Sequence, residues 1–148
     1  MSSNSHVLIV EARFYNEVAD HLVKGAIEAL EKAGATYERL TVPGALEIPA
    51  ALKFGSLRKD KPFDAFLALG CVIQGETSHY DIVTGESARG LTDLALMHDL
   101  CIGNGILTCD TMMQAVVRAD PAQKNKGADA ANAALALLKI KRDFDIKG

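Results

Sequence analysis

Short β-rich apolar runs alternating with stretches of helical spacing leave this chain few architectures to choose from. The run HVLIV is followed by NEVADHLVKGAIEALEKAG, where Val18, Leu22, Ala26 and Leu30 recur on one helical face. Gly34 closes that helix as a natural left-handed stop. TYERLTV reads as a second strand, and PGALEIPAALKFGSL as a second helix with Pro49 near its start. FDAFLALGC is continuously apolar after Asp64, as a strand covered on both faces should be. A long helix is expected from about Thr77 to Met97, then a fourth strand, LCIGNGILT. TMMQAVVRA and GADAANAALALLKIK read as two closing helices. Strands that alternate with helices imply crossover connections and a parallel sheet. The expectation is an α/β three-layer sandwich, a four-stranded parallel sheet flanked by helices.

At 148 residues, with no linker or repeat, residues 1–148 read as a single domain whose ordered core spans about 6–141. The polar first five residues and the tail RDFDIKG are expected to be loosely tied. Aromatic residues make up only 5% and tryptophan is absent, so the core must be aliphatic and alanine-rich. A net charge of −3 without a basic stripe argues against nucleic acid or an anionic membrane as partner. The three cysteines, Cys71, Cys101 and Cys109, lack Cys-x-x-Cys spacing and read as small buried hydrophobes. His6, His21, His79 and His98 have no zinc-ligand spacing, so no metal is expected. MSSNSHVLIV is not a signal peptide, and no apolar run approaches the roughly 20 residues that span a bilayer. A reduced, cytoplasmic protein is the expectation.

Ligands of open α/β sheets bind beyond the carboxyl ends of the strands. Here those ends are EARFYN, VPGALE, CVIQGETSH and NGILTCD, which should converge on one rim. Each carries residues with two readings. In GETSH, Thr77 or Ser78 could cap a helix while Glu76 favours its positive end and Gly75 eases the turn. The same N-terminus is equally an anion site, with His79 beside it as a proton-transfer group. Gly44 could be an N-cap with Glu47 three residues on. Alternatively, the backbone at Gly44 and Ala45 approaches a ligand while Glu47 accepts hydrogen bonds from hydroxyls. Phe14 is either a core anchor or a platform for a planar ring. Arg118 suits a helix C-terminus or, facing the rim, a phosphate. Lys126 by default is a solvated loop lysine.

Related small α/β designs fail on particular residues. EARFYNE is not a hydroxyl- and glycine-rich phosphate loop, and Glu11 stands alone where a phosphoacceptor domain needs an acidic cluster. GALEIP is not the dinucleotide fingerprint.

Taken together, ARFYNEVADHLVKGA, VPGALEIPAAL, LGCVIQGETSHYDIV, NGILTCDTMMQAVVRA and NKG resemble the lumazine synthases, from about His6 to about Lys139. The resemblance implies a flavodoxin-like fold and a cytoplasmic enzyme, a transferase of the penultimate step of riboflavin biosynthesis. It would condense 5-amino-6-ribitylaminouracil with 3,4-dihydroxy-2-butanone 4-phosphate to 6,7-dimethyl-8-ribityllumazine, releasing phosphate and water, with no metal or redox cofactor. By the same resemblance Phe14 would stack on the pyrimidine, and Gly44, Ala45, Leu46 and Glu47 would hold the ring and ribityl chain. Val72 and Ile73 would touch the heterocycle. Gly75, Glu76, Thr77 and Arg118 would bind phosphate, and His79 would shuttle protons. The resemblance further implies a homopentamer, in some relatives packed into a larger shell, with Asn104, Arg118 and Lys126 supplied by the adjacent chain. Asn104 departs from the aromatic common at that position, and Gln74 from a frequent arginine. The loop ADPAQKNKG lacks the usual small-residue run.

Overall fold

The computed structural model describes residues 5–146. Strands β1 (His6–Ala12), β2 (Thr36–Val42), β3 (Ala65–Ile73) and β4 (Ile102–Cys109) form one sheet in the order β2-β1-β3-β4, parallel throughout. Helices α1 (Asn16–Lys32), α4 (Met112–Ala119) and α5 (Lys126–Asp143) cover one face. Helices α2 (Ile48–Ser56) and α3 (His79–His98) cover the other. The α/β three-layer sandwich expected from the alternation is the observed architecture, in the flavodoxin-like strand order.

Side-chain alternation sorts the core into two aliphatic layers. Val7 and Ile9 of β1, Leu67 and Leu69 of β3, and Leu107 of β4 meet Leu22, Ala26, Ala115 and Ala134. Leu8, Val10, Phe66 and Ala68 point the other way, onto Ile48, Leu52, Val83 and Leu91. The small residues let helices approach closely. A Cβ at Gly103 would lie 1.9 Å from the Ala130 carbonyl oxygen, and one at Gly127 would lie 2.0 Å from that of Leu22. α5 therefore sits directly on β4 and α1. Gly90, inside α3, faces Pro49 of α2 at 2.9 Å, so this chain's own packing accounts for it, whereas Gly85 faces open space.

Several boundaries differ from expectation. α3 begins at His79 rather than Thr77, and α2 begins only after a 3-10 turn, Ala45–Glu47. The segment RDFDIKG is helical at Arg142 and Asp143, and Arg142 pairs with Asp64 at 3.7 Å and donates to the Ser5 hydroxyl at 3.2 Å. Ser5, expected to be loose, is buried. Phe144, Asp145 and Ile146 donate their N–H groups back to the carbonyls of Ile140, Arg142 and Lys141, while residues 1–4 and 147–148 of the expected loose ends lie outside the described residues. Among those described, no helix is long and apolar enough to cross a membrane.

Candidate active site

The strand order reverses between β1 and β3, and a cleft of about 370 Å³ opens at the carboxyl ends of these strands. Two turns, the end of a strand and the start of a helix build it. The turn after β1 contributes Phe14 and Tyr15, and the turn after β2 contributes Pro43, Gly44, Ala45, Leu46 and Glu47. The end of β3 adds Cys71, Val72 and Ile73, and α3 adds His79 and Val83.

Phe14 is 76% exposed, and its ring meets Tyr15 edge-on at 4.9 Å between centroids. It is not a core anchor. Gly44 has an extended backbone that any residue can adopt, but a Cβ there would lie 3.2 Å from Glu47 Oε1. Gly44 is the N-cap of the 3-10 turn and its carbonyl accepts from the Glu47 N–H at 3.2 Å, but no side-chain cap forms. Glu47 makes no side-chain cap, and its carboxylate has no hydrogen bond or ion pair among the described residues. It stands at the cleft with its acceptor capacity unused.

The turn 74–79 is exposed. Ser78 occupies the N-cap position of α3 without a side-chain cap, while Thr77 Oγ1 accepts from the His79 backbone N–H at 3.2 Å. Nothing lies within 4 Å of where a Gly75 Cβ would sit. His79 itself reaches the cleft, whereas Gly75, Glu76 and Thr77 are not among the residues that line it.

Asn104, Arg118 and Lys126 come together elsewhere, around a second cavity of about 420 Å³ at the β4 edge that shares no lining residue with the first. A capping box sets the start of α4. Thr111 Oγ1 accepts from the Gln114 N–H, and Gln114 Oε1 accepts from the Thr111 N–H. One turn on, Arg118 donates from Nη1 to the Gln114 carbonyl at 3.1 Å, leaving the rest of its fork toward the cavity. Lys126 opens α5, its Nζ 3.5 Å from Asp129. Asn104 Oδ1 accepts from the Ile106 N–H at 2.9 Å, satisfying a donor on the edge strand. This bond gives Asn104 a local structural role.

The sequence reading did not nominate Tyr15, Pro43, Cys71 and Val83 as cleft residues. Tyr15 and Pro43 adjoin residues it did nominate. Cys71 was read as buried, and it is half-buried, its thiol pushed up to about 12 by burial and then by Cys109. Among the described residues no group of three or more His, Cys, Asp or Glu is placed to hold a metal ion.

Against known proteins, residues 4–142 match the family of 6,7-dimethyl-8-ribityllumazine synthase. The chain is 52% identical to the 6,7-dimethyl-8-ribityllumazine synthase of Bartonella bacilliformis, over 95% of this chain and 93% of that one. It is 54% identical to 6,7-dimethyl-8-ribityllumazine synthase 1 of Rhodopseudomonas palustris, over 95% and 88%. With the 6,7-dimethyl-8-ribityllumazine synthase of Methylorubrum extorquens it shares 54% over 98% and 86%.

Proposed function

This chain belongs to the 6,7-dimethyl-8-ribityllumazine synthase family, enzymes of the transferase class in riboflavin biosynthesis, and on that premise we propose the reaction and the roles of its residues. It condenses 5-amino-6-ribitylaminouracil with 3,4-dihydroxy-2-butanone 4-phosphate, forming 6,7-dimethyl-8-ribityllumazine, phosphate and water. The observation that carries this reading is the convergence of Phe14, Gly44–Glu47, Val72, Ile73 and His79 on one cleft at the switch point of the sheet.

Phe14 stacks on the pyrimidine while Val72 and Ile73 supply its apolar wall. The free carboxylate of Glu47 accepts from ribityl hydroxyls, and the backbone at Gly44, Ala45 and Leu46 lies along the ring. The exposed N–H groups of Gly75, Glu76 and Thr77, ahead of α3, receive the phosphate with the positive end of the helix behind them. The substrate amine is already nucleophilic. Imine formation, phosphate elimination and ring closure therefore need proton movement, supplied by His79, but no covalent intermediate on the protein. Holding two substrates in register can remove about 7–11 kcal/mol of barrier, and a general acid–base adds a factor of about 10²–10⁴.

The separation of the two cavities supports a homopentamer in which Asn104, Arg118 and Lys126 of one subunit complete the cleft of its neighbour. The protein acts in the cytoplasm as a single-domain enzyme. The test mixes purified protein with both substrates and follows lumazine absorbance above the uncatalysed background. Acceleration that is lost on Arg118→Ala is the expected result. A background rate with tight binding of the lumazine product would refute catalysis and leave a binding protein.

A further inference from the structure

We propose that Glu11 and Arg13 are positioning residues of this site, clamping the turn that carries Phe14 so that its ring is held ready for the pyrimidine. The inference rests on the role proposed for Phe14 and concerns what fixes that ring.

Phe14 has almost no packing of its own. It sits between the end of β1 and the start of α1, and among the described residues its one ring contact is Tyr15, whose position is itself set by the turn. Tyr15 occupies the N-cap position of α1 without a side-chain cap. An exposed aromatic on an uncapped three-residue turn would be expected to sample several orientations. Arg13 supplies the missing restraint. Its Nη1 donates to Glu11 Oε1 at 2.7 Å, its Nε donates to Asn16 Oδ1 at 3.1 Å, and its Nη2 reaches Asp20. One rigid fork thus ties the strand before the turn to the helix after it, with Phe14 between.

Glu11 anchors the fork. It is 1% exposed, and Arg39 of β2 holds it from the other side, Nε at 2.6 Å from Oε2 and Nη2 at 3.1 Å from Oε1. A carboxylate buried at this depth is costly unless paired, and a well-packed apolar residue would serve stability as well or better. What the ionic version adds is direction, because planar guanidinium–carboxylate contacts fix the angles of both partners. The restraint falls on the turn that presents Phe14 to the cleft.

Two readouts separate positioning from simple stabilisation. The chain contains no tryptophan, so Phe14→Trp places a sole tryptophan fluorophore on the turn. Its fluorescence anisotropy in the full-length protein, at the low end of the unfolding curve, should fall when Arg13→Gln is added. Steady-state kinetics of Arg13→Gln and Glu11→Gln in the Phe14 background should raise KM for the ribitylaminopyrimidine by about tenfold, the scale of ordering one residue on binding. KM for the butanone phosphate and kcat should stay within twofold, and Arg13→Lys, keeping charge but losing the fork, should recover only part of the loss. Unchanged anisotropy overturns the proposal, as do equal rises in both KM values. If the Phe14 protein itself shows no turnover, the reaction proposed above falls. The anisotropy then decides the clamp alone, a drop supporting it and no change removing it.

Discussion

Gly127→Ala tests how α5 is seated, and with it the placement of Lys126. A Cβ at this position would lie 2.0 Å from the carbonyl oxygen of Leu22 and 2.8 Å from its carbonyl carbon, both backbone atoms in mid-helix. No rotamer change can relieve that contact. Restoring an ordinary 3.4 Å separation needs a movement of 1.4 Å between α1 and α5. On the facing helix, a Cβ at Gly25 of α1 would lie 3.3 Å from the Ala128 backbone nitrogen of α5. Overpacking of this kind costs about 1–3 kcal/mol or more, and here the upper end applies because backbone meets backbone. The better helix propensity of alanine returns about 1 kcal/mol. The net loss of about 2 kcal/mol corresponds to a fall in Tm of about 4–8 °C. Urea midpoints and thermal scans at one fixed protein concentration would measure it, with Gly85→Ala as the control. Gly85 lies in a helix with open space beside it, so that change should gain about 1 kcal/mol unless a neighbouring subunit packs there. Lys126 moves with the end of α5, so kcat/KM should drop about 10- to 100-fold. A Gly127→Ala protein as stable as the parent would refute the close-packing argument.

His79→Ala should slow turnover by about 10²–10⁴ at most, since positioning survives the loss of a proton relay. A rate equal to that of the parent would remove His79 from the chemistry. On the opposite end of the sheet, hydrogen bonds first from Arg58 and then from His6 hold the Glu38 carboxyl down at about 2. Because the folded state binds this proton less readily, the network stabilises above the ordinary carboxylate range and fades as pH falls toward 2. Urea midpoints of the parent and Glu38→Gln should therefore differ at pH 6 and draw together as pH falls toward 2, and a gap undiminished at pH 2 would contradict the assignment. Burial lifts the Cys71 thiol to about 12 although it borders the cleft. Iodoacetamide at pH 8 should leave Cys71 unmodified in the native protein and alkylate it after unfolding, read by mass spectrometry. Rapid native labelling would show that the thiol is not desolvated.

The fold was legible because hydrophobic period and layer position are the same information. VLIV and AFLALGC are apolar at successive positions because both faces of β1 and β3 are covered. What periodicity misread were the element ends. The spacing of Gly44 and Glu47 mimics a capping arrangement, but the chain turns through a 3-10 segment and leaves the carboxylate free. RDFDIKG looks like a polar tail because nothing local reveals that Arg142 will meet Asp64 and Ser5, which are remote in sequence.

The candidate site divides along the same line. Residues in the loops after β1, β2 and β3 were gathered by topology alone, since those strands are adjacent and parallel. Glu11 was visible only as a lone acid. Its meaning depends on register, which sets Ile9 beside Arg39 and brings a guanidinium within reach two residues further along β1. The separation of Arg118 and Lys126 from His79 has a topological cause as well. β4 is an edge strand, and α4 and α5, which carry those cations, lie on the face of the sheet opposite α2 and α3. In one chain the two sets line separate cavities. The uncapped turn before α3, the unused carboxylate of Glu47 and the exposed ring of Phe14 belong to one half, and the cations at the β4 edge belong to the other. If a subunit interface is what joins them, Arg118→Ala and His79→Ala chains, each inactive or slow by itself, should regain activity when co-assembled, because some clefts would then draw both groups from intact partners. Mixed assemblies no faster than the sum of their parents would place both groups in the cleft of a single chain.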